Sequence, residues 1–251
     1  MNKFQLLLTA VGFSTISSTL QSCDNDKDIT VYNYPTALVT ICPNSDESFV
    51  MNLDENTVLK PINLTKSPYG TKEVRALVNY YYVADDAATG TQADKDEINI
   101  RNVHICWIDS IRTKLPVIAT TDNNETYGND PFEIVRDWVT IGEDGYLTMR
   151  IRTYWSDPDK KHTLNLVTGV NPDNPMEMEL HHDADGDVSG MTRDALIAFN
   201  LNNLDGLNGE VTLKLKWNSF SGEKTAEIDL KMRNDNEPDA NDRILAVRNL
   251  E

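Results

Sequence analysis

The chain has 251 residues, with 40 acidic and 23 basic side chains, so its formal net charge is −17. A chain this acidic is repelled by nucleic acid and by anionic lipid head groups, which excludes a nucleic-acid partner. Its hydrophobic content of 39% is typical of strands with one polar face, and its length allows two small domains.

Residues 1–22 have the pattern of a secretory signal peptide. Lys3 precedes an uncharged stretch that is too short and too rich in Ser and Thr for a membrane span. The run Leu20-Gln21-Ser22-Cys23 resembles the lipobox of bacterial lipoproteins, with Gln21 as a departure from the commonest pattern. The resemblance implies cleavage between Ser22 and Cys23, a diacylglyceryl group on the Cys23 thiol, and an acyl chain such as palmitate on its amine. In the alternative, the signal is an ordinary secretory one and Cys23 is incidental.

Residues 23–34 are predicted to be an acidic tether, because Asp24, Asp26 and Asp28 crowd its start. This resembles the acidic export tract of surface lipoproteins. The expected location is therefore the outer membrane, with the chain anchored through Cys23 and exposed at the cell surface. A solvated linker that happens to be acidic is the alternative.

Alternating apolar and polar residues predict an all-β chain in two parts. Residues 35–127 contain about five strands, the clearest over residues 73–83, and are predicted to form a small OB-like barrel with a bulge or bend near Asn102. Residues 128–234 contain six or seven strands and are predicted to form an antiparallel β-sandwich. Residues 235–251 are a predicted C-terminal tail.

The order of several short motifs resembles the NigD-like lipoproteins. The motifs are the lipobox with its tether, Leu53-Asp54-Glu55-Asn56, the strand from Val74 to Tyr80, Asp144-Gly145-Tyr146-Leu147, the acidic run from Leu180 to Asp187, and Phe199-Asn200-Leu201. The resemblance implies an N-terminal OB-like domain, a C-terminal β-sandwich domain and a proposed link to bacteriocin immunity. It brings no catalytic residues.

Several side chains are candidates for a site. Cys42 and Cys106 lie in apparent strands, and either a disulfide or two buried thiols would suit an exported protein. Asp183, Asp185, Asp187 and Asp194 have the spacing of calcium ligands, but the glycine and the apolar residue of a calcium loop are replaced by Val188 and Gly190. An acidic hairpin loop is the preferred interpretation, so we expect no metal.

The four histidines are His104, His162, His181 and His182. Adjacent residues of a strand point to opposite faces, so His181 and His182 cannot chelate one metal ion together. Tyr80, Tyr82, Tyr154 and Trp155 could stack on a sugar, although such runs more often form core and cross-strand pairs.

The sequence has no nucleophile elbow, phosphate loop or dinucleotide fingerprint, so we expect neither an enzyme nor a cofactor. The favoured interpretation is a surface protein that binds a protein or glycan partner. The alternatives are an accessory subunit of an outer-membrane assembly and a hydrolase without a linear motif.

Overall fold

The computed structural model describes residues 34–83 and 98–233. The signal peptide, the cleavage site at Ser22 and Cys23, almost all of the tether and the tail at 235–251 lie outside these residues. Within these described residues, no helix is long and apolar enough to cross a membrane. The described chain is almost entirely β-structure, which confirms the predicted fold class.

The first domain is a closed five-stranded barrel in the order β1-β2-β3-β5-β4. Its strands are β1 (Thr36–Pro43), β2 (Phe49–Asn52), β3 (Thr57–Pro61), β4 (Val74–Tyr82) and β5 (Asn99–Ser110). β3 and β5 are parallel, and the other neighbouring pairs are antiparallel.

Every second side chain of β4 points into the barrel and helps to fill its core. Val74, Ala76, Val78 and Tyr80 are all buried inside it, as the period of two predicts. The register between β4 and β5 shifts at Asn79 and Tyr80. The structure therefore places the bulge of β5 at Cys106, further along the strand than the predicted Asn102.

The second domain is one ten-stranded sheet in the order β6-β13-β10-β9-β15-β14-β12-β11-β7, with β8 also paired to β10. Its elements are β6 (Arg112–Lys114), β7 (Val117–Ile118), α1 (Asn123–Tyr127), β8 (Glu133–Val135), β9 (Ile141–Glu143), β10 (Tyr146–Tyr154), β11 (Thr163–Thr168), β12 (Glu177–Asp183), β13 (Thr192–Asn200), β14 (Glu210–Ser219) and β15 (Gly222–Lys231). β6 and β7 form opposite edges of the sheet but follow each other in the chain. The two edges therefore lie close together, and the sheet curls into a sandwich. Four of its pairings are parallel.

Residues 112–118 cross from one edge of this sheet to the other. β6 pairs with β13 and β7 pairs with β11, so both belong to the second sheet. The change of sheet therefore occurs earlier in the chain than the division we predicted at residues 127 and 128. Residues 112–118 lack alternation, and their strand partners are distant in sequence.

The core of the second domain lies between the curled faces of the sheet. Leu147 and Phe199 are register partners on β10 and β13, and both are fully buried with Phe132. Burial of each such side chain stabilises the fold by about 2 to 3 kcal/mol.

An apolar cluster joins the two domains. Leu38 and Ile111 of the barrel pack against Val139, Tyr146 and Ala198 of the sandwich, and all five are buried. The start of β10 is therefore fixed against the barrel wall.

One buried arginine and several half-buried charges complete the junction between the domains. Arg75 is 1% exposed; it donates to the Thr40 hydroxyl at 2.8 Å and to the Glu143 carboxylate at 2.5 Å. Arg233 donates to both Asp144 and Glu73, and the Tyr146 hydroxyl also donates to Glu73. Apart from the bond to Thr40, each contact joins residues that are far apart in the sequence. The contacts therefore form only when the two domains are packed in this arrangement.

Candidate functional site

Three connections meet at the end of the second domain that lies away from the barrel. They are residues 155–162 between β10 and β11, residues 184–191 between β12 and β13, and the hairpin tip at Phe220 and Ser221. We call them the distal loops. β10 starts at the barrel junction with Tyr146 and ends at these loops with Tyr154. At about 3.3 Å per residue, its nine residues carry the chain roughly 26 Å away from the junction.

Asp187 ties two distal loops together. Its carboxylate oxygen accepts hydrogen bonds from the backbone amides of Ser156 at 2.8 Å and of Asp157 at 3.0 Å. The amide of Asp157 lowers the pKa of Asp187; burial opposes this, and the amide of Ser156 and the ring of His162 lower it further. The carboxylate of Asp187 therefore fixes residues 155–162 in place and is not free to bind a cation.

Two histidine rings continue inward from this carboxylate. His162 Nε2 lies 3.4 Å from the Asp187 carboxylate, and its Nδ1 lies 3.1 Å from His182 Nε2. The rings of His162 and His182 are stacked at 5.2 Å, and Phe132 meets His182 edge-on at 5.7 Å. Only one of the two nitrogens in this contact can carry a proton, because the N–H of one ring must donate to the lone pair of the other.

Burial, together with the nearby His162, lowers the pKa of His182 to about 4. The carboxylates of Asp130 and Asp183 act against this shift. His182 is therefore neutral at neutral pH. Both ring nitrogens of His162 are already engaged, so His162 presents no nitrogen to a substrate as a general base.

Trp155 closes the layer of rings at the distal end. Its indole stacks on His162 at 5.0 Å, and its amide donates to the Met191 carbonyl at 2.8 Å. Ser156 strengthens this link, since its hydroxyl donates to the Ser189 carbonyl and accepts from the Met191 amide, each at 2.9 Å. These bonds hold the two longer distal loops to each other.

Large apolar side chains cover this rigid base. Met191 is 65% exposed, Val188 45% and Phe220 37%. Phe220 packs on Tyr154 with ring centroids 4.8 Å apart. Exposed apolar and aromatic groups on preorganised loops are typical of a surface that recognises a macromolecule.

The structure does not bring the four candidate calcium ligands together. Asp187 faces backbone amides, whereas Asp194 forms an ion pair with Arg152 at 2.6 Å. Asp183 accepts the amide of Asp185 in a local turn at 2.9 Å, and Asp185 lies near Lys160. Within residues 34–83 and 98–233, no group of three or more His, Cys, Asp or Glu side chains is placed to hold a metal ion.

The aromatic candidates lie in different places. Tyr80 is a core residue of the barrel at 4% exposure, so it is not available to stack on a ligand. Tyr82 is 44% exposed at the end of β4, where the Arg101 guanidinium lies 4.5 Å from its ring centroid. Tyr154 and Trp155 belong to the distal end of the second domain, far along β10 from the barrel.

Cys42 and Cys106 form no disulfide with each other. Cys42 is buried beside Val50 and Val58, and Cys106 is exposed on β5. β1 and β5 are not neighbours in the barrel, so the bridge alternative is not found.

His181 and His182 point to opposite faces of β12, as the sequence predicted. His181 Nδ1 lies 2.8 Å from the Gly128 carbonyl and its Nε2 lies 3.0 Å from Glu179. His181 and Glu179 line a polar cleft of about 420 Å³ beside α1. Glu179 also accepts a hydrogen bond from the Asn123 amide at 3.1 Å.

Sequence reasoning missed the contact between His162 and His182. The only signal for it is the register of the hairpin, in which Leu164 pairs with His182 and so places His162 just beyond that pair. The linear spacing of the two residues matches no known ligand motif.

Comparisons with known proteins agree with this architecture. The family described as NigD-like N-terminal OB domain matches residues 38–111, and the family described as NigD-like C-terminal β-sandwich domain matches residues 115–230. No curated protein matches the chain.

Solved structures from Bacteroides and Parabacteroides species share the fold. A protein from Parabacteroides distasonis described as toxin related is 25% identical, with a TM-score of 0.60 over 79% of this chain and 94% of its own. A protein of unknown function from Bacteroides vulgatus is 18% identical, with a TM-score of 0.59 over 84% of this chain and 98% of its own. A NigD-like immunity protein from Bacteroides caccae is 21% identical, with a TM-score of 0.51 over 78% of this chain and 91% of its own.

Proposed function

This chain belongs to the NigD-like family, and on that basis we propose that it is a lipid-anchored, non-enzymatic protein of the bacterial surface that binds a protein partner through its distal loops. The observation that carries the proposal is the set of exposed apolar side chains on loops that Asp187 and Ser156 lock together. A surface that is rigid before binding loses little conformational entropy when a partner docks.

The position of the anchor supports the proposal. The first described residue, Tyr34, lies on the barrel, and the distal loops lie at the other end of β10. A chain anchored by acyl groups on Cys23 would therefore enter the barrel first and present the distal loops further from the lipid. Acylation with more than one chain holds such a protein stably at an outer membrane.

Charge supports a cationic partner. The net charge of −17 repels nucleic acid and speeds association with a positively charged protein. Immunity to a secreted antibacterial protein is the version of the proposal we put first, since a protein of this fold from Bacteroides caccae is named an immunity protein. A glycan partner would also use exposed rings, but Met191 and Val188 suit a protein better.

The proposal is tested by deletion and complementation in the native cell. We expect deletion to raise sensitivity to an antibacterial protein from competing strains, and the wild-type chain to restore resistance. Met191→Asp should fail to restore it, because the charge must be desolvated in the contact. Ile62→Asp is the matched control, since Ile62 is 53% exposed on the barrel, and it should restore resistance.

Three results would contradict the proposal. Equal restoration by both variants would remove the distal loops from the contact. A single outer-membrane partner that remains crosslinked to Met191→Asp would favour an accessory subunit. Turnover of a substrate by the purified chain, lost in His162→Gln, would favour the hydrolase alternative.

A further inference from the structure

A row of aromatic rings covers part of the outer face of the barrel. Tyr81 of β4 stacks on His104 of β5 with ring centroids 4.8 Å apart and planes 11° from parallel. Tyr34 packs on the other side of Tyr81 at 4.7 Å. Trp107 stands opposite Asn79, one step along the same face, and is 44% exposed. We call Tyr34, Tyr81, His104 and Trp107 the tether face.

In the part of the chain that the structure describes, these four rings lie outside the apolar core of the barrel. Earlier along β4, Arg75 and Leu77 point outward and contact the second domain. Asn79 and Tyr81 are the next outward residues, and the rings around them are partly exposed. Outward positions of a strand usually carry polar side chains, so a run of rings there indicates a contact with something else.

The tether face also receives the chain from the anchor. The Asn79 amide donates to the Tyr34 carbonyl at 2.7 Å and to the Pro35 carbonyl at 3.2 Å, which fixes the entry point on this face. Cys23 is eleven residues before Tyr34. Whatever their conformation, those residues cannot hold the tether face more than about 40 Å from the lipidated cysteine.

We propose that the tether face lies against the lipid surface that holds the acyl chains of Cys23. The proposal rests on the proposed lipidation of that residue. Indole and phenol rings suit the head-group level, because each has an apolar body and a polar tip. The short tether keeps the face at high local concentration near the bilayer, so a weak apolar contact is sufficient. The contact is apolar, so on zwitterionic lipid it is insensitive to salt.

The four tryptophans of the chain provide the test. The full-length lipidated protein is reconstituted into phosphatidylcholine vesicles that contain a lipid brominated near the head group, and tryptophan quenching is measured. We expect quenching that Trp107→Phe largely removes. Trp138→Phe and Trp155→Phe are the controls, and the quenching should persist in both; Trp138 is 56% exposed in the second domain. High salt should leave the quenching unchanged.

Each other result contradicts the proposal. Quenching that Trp155→Phe removes would place the distal loops on the lipid. No quenching at all would mean that Trp107 faces water or another part of the chain and does not contact the lipid. Flotation of the protein with the vesicles reports anchoring separately, so a failure of lipidation is distinguished from a failure of docking. Thermal melting of Trp107→Phe should match the wild type, which shows that the variant folds.

Discussion

The domain junction and the distal end both bury ionisable side chains, but they use different chemistry. At the junction, guanidinium groups meet carboxylates: Arg75 meets Glu143, and Arg233 meets Asp144. At the distal end, one carboxylate meets a pair of histidines, His162 and His182. An arginine keeps its charge across the accessible pH range, whereas histidine titrates near neutrality.

This difference separates a permanent connection from a sensitive one. Burial opposes ionisation of Asp144, but hydrogen bonds and the charge of Arg233 hold its pKa below the usual value. The junction therefore stays ionised and joined at neutral and mildly acidic pH. The packing of the distal end depends on His182 staying neutral. Low pH therefore destabilises the structure that supports the exposed distal loops.

The largest effect is expected at the junction. Arg75→Ala leaves the Glu143 carboxylate without its cation and opens a space against Tyr146. Breaking a fully buried ion pair costs about 3 to 5 kcal/mol, and because Glu143 is 29% exposed we expect a loss near the lower end of that range in the free energy of unfolding, measured by urea denaturation. Arg152→Ala, which breaks an exposed pair with Asp194, is the control and should cost far less. Equal losses in the two variants would show that the junction is not a special connection.

The next effect is a pH dependence at the distal end. The pKa of His182 is about 4 in the folded chain, against 6.5 for an unperturbed histidine. The unfolded chain therefore binds a proton first as the pH falls, and the folded state loses stability between about pH 6.5 and pH 4. The contribution reaches about 3 kcal/mol at the acid end. Below pH 4 both states are protonated at this residue, and its contribution is constant.

His182→Phe should remove this part of the pH dependence, because phenylalanine does not titrate and can still meet Phe132. The measurement is the free energy of unfolding at several pH values for both proteins. His104→Phe is the control on the barrel. The account is wrong if the curves of the wild type and His182→Phe stay parallel from pH 7 to pH 4.

The smallest effect tests the contact between the distal loops. Gly190 has a φ of +94° and would direct a β-carbon into the Ser156 hydroxyl, which bonds Ser189 and Met191. Gly186 has a similar φ of +81° but open space around it. Gly190→Ala should therefore cost about 1 kcal/mol more than Gly186→Ala in thermal or urea unfolding. No difference between the two would mean that the loops do not press on each other.

Alternation in the sequence predicted the strands that have one buried face. Residues 73–83 were predicted as the clearest strand of the barrel, and β4 (Val74–Tyr82) confirms this. The period of two could not show that Tyr80 is core while Tyr82 is exposed, because the two share a face and differ only in their distance from the barrel end. Residues 112–118 were missed as part of the second sheet because their partners are set by tertiary pairing.

The candidate site was harder to predict than the fold. The acidic run near Asp187 looked like a loop with exposed carboxylates, yet this side chain turns inward to backbone amides of residues 156 and 157. Nothing in a linear sequence shows which carboxylate finds amide donors in another loop. The lipidation of Cys23 and the surface location remain predictions, since residues 1–33 lie outside the described chain.

In-cell photocrosslinking tests the central claim most directly. A photocrosslinking residue is placed at position 191 on the distal loops or at position 62 on the barrel, both in the lipidated protein in its native cell. We predict one protein adduct from position 191 that position 62 does not give, and that adduct should weaken when Phe220→Asp is combined with the probe. Identical adducts from the two positions, or none from position 191 in cells challenged with the antibacterial protein, would contradict the claim that the distal loops bind a protein partner.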